Sequence, residues 1–178
     1  MGIMNLLRLL KAFIVGFVCL FFVITLFSLV IPSTVKVSRI TVINNVTPAE
    51  VYEQIAYLQN WKNWHPVFKS DSATVTFADS AHKTCDVVYN GTTTHLSLTF
   101  LDTVLIKFDL LTKKQNDTKV EMHLTNLQGQ QSVQVEWRAS TKLRWYPWDK
   151  FYGIFLDKLS GPGYEAALSG LKDFLESK

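Results

Sequence analysis

Hydrophobic residues are distributed along this 178-residue chain in two different patterns. The first is an unbroken run near the N-terminus, where residues 12–31 read AFIVGFVCLFFVITLFSLVI and no charged residue lies between Lys11 and Lys36. Twenty helical residues span about 30 Å, the hydrocarbon thickness of a bilayer. The run is longer than the apolar core of a signal peptide, and no small-x-small cleavage site follows it. Residues 1–32 are therefore predicted to form a single transmembrane anchor that is not cleaved.

The second pattern is the two-residue alternation of β-strands. It covers residues 35–44, VKVSRITVIN, and most of residues 73–141. The pair Asn90-Gly91 is the preferred dipeptide of a two-residue hairpin loop. We predict an antiparallel sheet of about seven strands with one apolar and one polar face.

The alternation also assigns each side chain to a face of the sheet. The predicted inward face carries Cys85, Val87, Tyr89, Thr92, Thr94, Leu96, Leu98, Phe100, Val104, Ile106, Phe108, Leu110, Val120, Met122, Leu124, Val133, Val135, Trp137 and Ala139. The opposite face carries Asp86, His95, Lys107, Asp109, Glu121, His123, Glu136 and Arg138. General acid–base catalysis needs a group whose pKa is near the working pH, and no Asp, Glu, Lys, Arg or His points inward. This pattern favours binding over catalysis, although cyclisation directed by pocket shape alone stays open.

Helical spacing marks the segments that flank the strands. Thr47, Pro48 and Glu50 form the N-cap, first residue and capping-box partner of a short helix. Residues 147–160 and 164–175 predict a long C-terminal helix, which GPG at positions 161–163 is expected to interrupt. Because no other segment is long enough, this helix is predicted to cover the apolar face of the sheet.

Two stretches resemble the START-related (SRPBCC) superfamily of lipid-binding and polyketide-cyclase-like proteins, whose fold is called a helix grip. LQNWKNWHP at residues 58–66 is similar to the family's helix-loop with a Trp-x-x-Trp-x-Pro pattern. DKLSGPGYEAALSGLKDFLE at residues 157–176 is similar to the Gly-containing start of its last helix. The resemblance covers residues 35–177, with His65 in a place where the family would have a small polar residue. It implies an α+β helix-grip domain over residues 33–178, with a curved antiparallel sheet wrapped around the C-terminal helix.

Trp61 and Trp64 are three positions apart, so a helical turn would direct both indoles the same way. One interpretation is that they plug the end of the core, and the other is that they form the rim of a ligand mouth. RWYPWDKFY at residues 144–152 is a second aromatic cluster. We interpret it as the anchor between sheet and last helix, with a membrane-interface belt as the alternative.

The apolar inward face and the resemblance together predict a cavity between sheet and C-terminal helix. The expected partner is a lipid or another hydrophobic small molecule, bound without catalysis. The predicted pocket or mouth residues are Trp61, Trp64, Phe77, Tyr89, Leu98, Phe108, Met122, Trp137 and Phe155. Two alternatives stay open, a polyketide cyclase or aromatase-like enzyme and a protein-interaction module with a filled core.

Charge and cysteine and histidine content bear on nucleic-acid binding, disulfide bonds and metal sites. Without Arg8 and Lys11 the chain has 16 basic and 15 acidic residues, so it lacks the basic face that nucleic acid requires. Cys19 lies in the anchor and Cys85 in the domain, which excludes an intradomain disulfide. The four histidines are scattered, so no metal site is expected, and no cofactor is predicted.

The orientation of the anchor follows from its flanking charges. Arg8, Lys11 and the free amino group precede the span, whereas Lys36 and Arg39 follow it. The positive-inside rule gives a small bias towards a cytoplasmic N-terminus, with the domain on the outer side of the membrane.

Overall fold

A computed structural model describes residues 3–113, 115–127 and 131–177 of the chain. The outer limits of the two predicted domains, residues 1, 2 and 178, therefore lie outside the described residues. The chain begins with helix α1 (Ile3–Val30). Its segment Leu7–Val30 is long and apolar enough to cross a membrane, by length and composition, and very little of it is buried against the rest of the protein.

Seven antiparallel strands form one sheet in the order β1-β7-β6-β5-β4-β3-β2. The strands are β1 (Thr34–Asn44), β2 (Thr74–Phe77), β3 (Thr84–Tyr89), β4 (Thr92–Leu101), β5 (Leu105–Thr112), β6 (Thr118–Leu127) and β7 (Ser132–Lys142). Asn90 and Gly91 have φ angles of 49° and 72°, as a two-residue hairpin turn of type I′ requires. The turn pairs Tyr89 with Thr92, in the register that the sequence predicts.

Three further helices complete the fold. They are α2 (Pro48–Ala56), α3 (Pro66–Lys69) and α4 (Pro147–Glu176), and a 3-10 helix (Leu58–Asn63) lies between α2 and α3. The capping box at the start of α2 is present, since Thr47 Oγ1 accepts from the Glu50 N–H and Glu50 Oε2 accepts from the Thr47 N–H. The last helix packs along the sheet and contacts β1 and β7. The protein has the predicted α+β helix-grip fold.

The core lies between the sheet, the segment from α2 to the 3-10 helix, and the second half of α4. Its largest fully buried side chains include Trp61, Trp64, Phe108, Ile43, Ile55, Leu58, Ile106, Met122, Leu168 and Leu171. Val133, Val135, Trp137 and Ala139 of β7 are buried as well, so the inward face of that strand is predicted correctly.

Two predicted inward residues are exposed instead, Phe100 because of a β-bulge in β4 and Val104 because it lies in the connection before β5. The pairing of β4 with β5 shifts between Leu98 and Phe100, which leaves Thr99 as an extra residue. One extra residue reverses the alternation that follows it. Phe100 therefore pairs with Lys107 on the polar face, and the Lys107 Nζ lies 5.9 Å from the centroid of its ring. Val104, just before β5, is 55% exposed.

The predicted interruption of the last helix at residues 161–163 is wrong. Helix α4 continues through Pro162, whose side chain is exposed. The residues on either side hold the helix against the sheet, because the Gly161 Cα lies against the Arg39 guanidinium of β1 and Tyr164 stacks on Trp137. Packing on both sides of the proline outweighs the one backbone hydrogen bond that it removes. Arg39 pairs with Trp137 and therefore lies on the inward face, so the prediction that this face carries no charged residue is wrong.

Candidate functional site

The main feature of the interior is an apolar cavity of about 420 Å³ between the sheet and α4. Side chains of β3 to β7 form its floor, including Val87, Leu96, Phe108 and Val120. Its volume lies in the range of about 300–1,000 Å³ that small-molecule pockets have. The cavity sits where the sequence predicts it, between the inward face of the sheet and the last helix.

A second cavity of about 410 Å³ continues from the first along α4. The two share Thr94, Leu110 and Tyr164 as lining residues, so they are adjacent, and we call them the two chambers of one cleft. The second chamber is polar, and its walls include Thr112, Gln115, Asn116, Arg144, Asp149 and Tyr152. The cleft therefore offers an apolar end and a polar end to a ligand.

The two tryptophans of the aromatic turn have different roles. Trp61 Nε1 donates to the Ile55 carbonyl at 2.9 Å, and Trp64 Nε1 donates to the Gln54 carbonyl at 3.1 Å. These are among the last carbonyls of α2, which have no partner within the helix. Trp61 also lines the apolar chamber, whereas Trp64 lies in the core and is only 1% exposed. Trp64 is a core plug and Trp61 is part of the cavity wall.

His65 also lines the apolar chamber. It lies in the aromatic turn and not on a strand, so the assignment of strand residues to the two faces of the sheet does not include it. Its Nδ1 accepts from the Val67 N–H at 3.3 Å and caps α3, while its ring stacks on Trp61 with centroids 5.2 Å apart. Burial lowers the pKa of His65 to about 4, so the imidazole is neutral near pH 7. Because Nδ1 is an acceptor, the proton of the neutral ring is on Nε2. The His-Pro pair after Trp64 is the sequence signal for this cap.

Helix α4 and strand β7 supply a second aromatic pair. Tyr164 stacks on Trp137 with centroids 5.3 Å apart and an interplanar angle of 20°, and both residues line the apolar chamber. Burial raises the pKa of the Tyr164 phenol. The Trp137 Nε1 is buried and has no hydrogen-bond partner among the described residues. The sequence places Tyr164 on the inward stripe of α4 but does not distinguish it from the core residues around it.

Four of the nine predicted pocket residues line the cavity, namely Trp61, Tyr89, Phe108 and Trp137. Trp64 and Met122 are buried in the core instead, Met122 because α2 packs on β6. Phe77 and Leu98 are half-buried against the core.

Phe155 is 55% exposed, on the side of α4 that faces away from the sheet. The next residue, Leu156, is buried and lines the polar chamber. Successive helical residues point about 100° apart. The helical spacing is therefore present, but the sequence does not show which of its two apolar stripes faces the sheet.

Charged groups pair with one another on the outer face of the sheet. Lys107 Nζ lies 2.7 Å from Glu121 Oε1 and lowers the pKa of that carboxyl, and His95 Nδ1 lies 2.7 Å from Asp86 Oδ1. Across the part of the chain that the structure describes, no three His, Cys, Asp or Glu residues are grouped to hold a metal ion.

Comparison with known proteins identifies the fold and no sequence family. No family model matches the chain, and no curated protein matches it in sequence. A START superfamily protein from Mycobacterium smegmatis superimposes with a TM-score of 0.62 at 11% identity, over 80% of this chain and 98% of that one. The di-domain ARO/CYC StfQ from the steffimycin biosynthetic pathway superimposes with a TM-score of 0.61 at 12% identity, over 81% of this chain and 51% of that one.

A hypothetical protein from Helicobacter pylori gives a TM-score of 0.58 at 12% identity, over 79% of this chain and 87% of that one. At these identities the likeness concerns architecture. The seven-stranded sheet and long C-terminal helix of this chain are those of the START-like helix-grip fold.

Proposed function

We propose that the protein is a membrane-anchored binding protein that holds a lipid or another hydrophobic small molecule in the cleft beneath α4, without catalysis. The observation that carries the proposal is the apolar chamber of about 420 Å³, which lies beside a polar chamber of similar size. A packed core without a ligand function would have few voids larger than a water molecule.

The two chambers suit a ligand with an apolar body and a polar end. Burial of the body against Val87, Leu96, Phe108 and Val120 would contribute roughly 25 cal/mol for each Å² of apolar surface removed from water. The polar end would meet hydroxyl, amide and guanidinium groups in the second chamber.

The state of His65 supports binding rather than acid–base chemistry. It is the one histidine among the described residues of the cavity walls, its pKa is about 4, and its Nδ1 already accepts the Val67 N–H. A neutral ring with the proton on Nε2 has no free lone pair for a general base, and a pKa near 4 leaves almost no imidazolium to serve as an acid at pH 7. The ring is suited to donate one hydrogen bond to an oxygen of a ligand.

Membrane attachment rests on α1, whose segment Leu7–Val30 has the length and composition of a span. With the domain linked to α1 by residues 31–33, the cleft would remain close to the bilayer surface. An abundant source of hydrophobic ligands would then be within reach of the domain.

Thermal unfolding of the full chain in nanodiscs, with a panel of fatty acids, sterols, quinones and aromatic polyketides, tests this function. A ligand at 100 times its Kd stabilises the folded state by about 2.7 kcal/mol, and each kcal/mol raises the Tm of a domain this size by roughly 2–4 °C. Native mass spectrometry of the purified protein should detect a co-purified ligand.

A matched pair of variants assigns the effect to the cleft. Leu110→Trp would fill the junction of the two chambers and should abolish the ligand-dependent shift. Leu111→Trp changes the neighbouring residue, which is 45% exposed, and should preserve the shift. Equal Tm shifts in both folded variants would contradict the proposal. The absence of a Tm shift with every ligand of the panel would contradict it as well. A ligand that is bound and returned chemically changed would favour the cyclase-like alternative.

A further inference from the structure

The first half of α4 has an exposed side that is almost entirely apolar. Trp148, Phe151, Ile154, Phe155 and Leu159 are 60%, 37%, 57%, 55% and 58% exposed. Their spacing places them on one side of the helix, opposite the buried residues Lys150 and Gly153. Tyr152 lies on the same helix and is 49% exposed. Trp145 precedes the helix, is 71% exposed and contacts Tyr146, whose ring stacks on Trp148. We call the first five residues, together with Tyr152 and Trp145, the α4 apolar surface.

The second half of the same helix has an ordinary hydrated side. Its exposed residues after Gly163 include Glu165, Ser169 and Asp173. The change occurs within one continuous helix, so it is not a property of the helix as a whole. A contiguous exposed apolar surface of this kind marks a site of contact with a partner or a membrane.

The helix that carries the α4 apolar surface is held next to the end of α1. Lys150 Nζ donates to the Ile31 carbonyl at 3.1 Å and to Ser33 Oγ at 2.7 Å. On the same side of α4, Gly153 lies against Val35 and Leu143. The first turns of α4 are thus fixed next to the end of α1. If α1 crosses a bilayer, the boundary of that bilayer lies near these turns.

The composition of the surface fits the interface of a bilayer. Tryptophan and tyrosine are enriched at the level of the lipid headgroups, and basic residues interact with anionic lipids there. Two tryptophans and a tyrosine belong to the surface. The exposed Lys158 lies on the same side of α4, one turn after Phe155, and the exposed Arg144 precedes the helix. Asp157 is held by Arg39 in an ion pair, which directs this carboxylate towards β1.

We propose that the α4 apolar surface docks into the headgroup–acyl boundary of the bilayer that α1 enters. This inference rests on the proposed membrane anchoring. Asp149, Tyr152 and Leu156 of the same half-helix line the polar chamber. Docking therefore brings the polar end of the cleft to the membrane surface, where a hydrophobic ligand can pass between bilayer and cleft with little exposure to water.

Spin labelling of the full chain tests the docking directly. In a Cys19→Ala background, a nitroxide is attached at Phe155→Cys, and the protein is placed at one copy per nanodisc of phosphatidylcholine and phosphatidylglycerol. The matched control is Asp173→Cys, which lies 18 residues or five turns further along the same side of α4. A third label at Val18→Cys reports on the span. The measurement is collision of each label with oxygen, which partitions into lipid, and with a water-soluble nickel chelate.

The label at position 155 should collide more with oxygen than with nickel, as the label at position 18 does, and the label at position 173 should show the reverse. Melting curves of each labelled protein confirm folding. A water-like label at 155 with a lipid-like label at 18 would overturn the docking and leave the anchoring intact. A water-like label at 18 would overturn both. In nanodiscs loaded with two copies, dipolar broadening between labels at 155 would show that a second copy covers the surface, which also overturns the proposal.

Discussion

Gly170 of α4 and Trp64 of the aromatic turn are in backbone contact. The Gly170 Cα lies so close to the Trp64 carbonyl oxygen that a Cβ at this position would overlap it. The Trp64 indole in turn donates to the Gln54 carbonyl at 3.1 Å. One residue thus joins α2, the turn and the last helix, and the absent side chain at position 170 allows the helix to close the end of the core.

We expect Gly170→Ala to lower the free energy of unfolding by about 1–3 kcal/mol, the usual cost of overpacking. The backbone of a buried segment would have to move, and this outweighs the gain of up to about 1 kcal/mol in helix propensity. Gly163→Ala is the control, because a Cβ there meets nothing within 4 Å. It should be neutral or stabilising in the same urea titration. Equal stability changes in the two variants would contradict the contact.

Trp64→Phe should destabilise the protein without altering the site. The variant leaves the buried Gln54 carbonyl without its donor, at a cost of about 1–3 kcal/mol. Trp61→Phe removes the corresponding bond to the Ile55 carbonyl but also changes the cavity wall. Only Trp61→Phe should reduce a ligand-induced rise in Tm. A smaller ligand-induced rise in Tm with Trp64→Phe, and an unchanged rise with Trp61→Phe, would mean that Trp64 and not Trp61 contacts the ligand.

A charge on the inward face should have a far larger effect than the loss of one on the outer face. Phe108 is 1% exposed, so Phe108→Asp would bury an unpaired carboxylate and should prevent folding. Lys107→Gln removes a partly exposed ion pair with Glu121, which contributes at most about 1 kcal/mol. Circular dichroism of the two proteins provides the measurement. Similar melting curves would mean that the register of β5 is wrong.

His65 should make stability depend on pH below neutrality. Its pKa is about 4 in the folded protein and near the ordinary value of 6.5 in the unfolded chain, so the unfolded chain binds the proton more readily. Above about pH 6.5 His65 is neutral in both states, and the free energy of unfolding has its full value. It decreases by at most about 3 kcal/mol as the pH falls towards 4.

The matched variant for this pH dependence is His65→Asn, which retains a side-chain cap for α3 but cannot titrate. Its stability should fall less steeply between pH 6.5 and 4 than that of the unaltered protein. Carboxyls with lowered pKa values, such as Glu121 and Glu136, contribute equally to both proteins. Parallel pH profiles would exclude His65 as the source.

A chain that begins at Ser33 should fold without α1. Nearly all of the core lies between β1 and α4, and Lys150 keeps one of its two hydrogen-bond partners, Ser33 Oγ. We expect a soluble protein with a single cooperative thermal transition. An insoluble or molten product would show that residues 1–32 belong to the same folding unit as the sheet.

The sequence by itself determined those features that neighbouring residues encode. Thr47 and Glu50 specify a helix start, Asn90 and Gly91 specify a tight hairpin, and alternation specifies which side of β7 is buried. The physics is local in each case, because caps, turns and pleats involve residues a few positions apart. These local signals, with the resemblance in the aromatic turn and the last helix, were enough to predict the helix-grip fold.

Only the tertiary structure decided the features that depend on packing between distant segments. The bulge at Thr99 turns Phe100 outward, and the rotation of α4 places Leu156 in the cleft and Phe155 on the surface. Helix α4 passes through Pro162 because distant side chains hold it on both sides. The polar chamber is also beyond sequence patterns, since Asn116, Arg144 and Asp149 come together only when α4 lies across the sheet. A pattern of residues shows which side chains can share a face, whereas the neighbours of that face are fixed by contacts far apart in the chain.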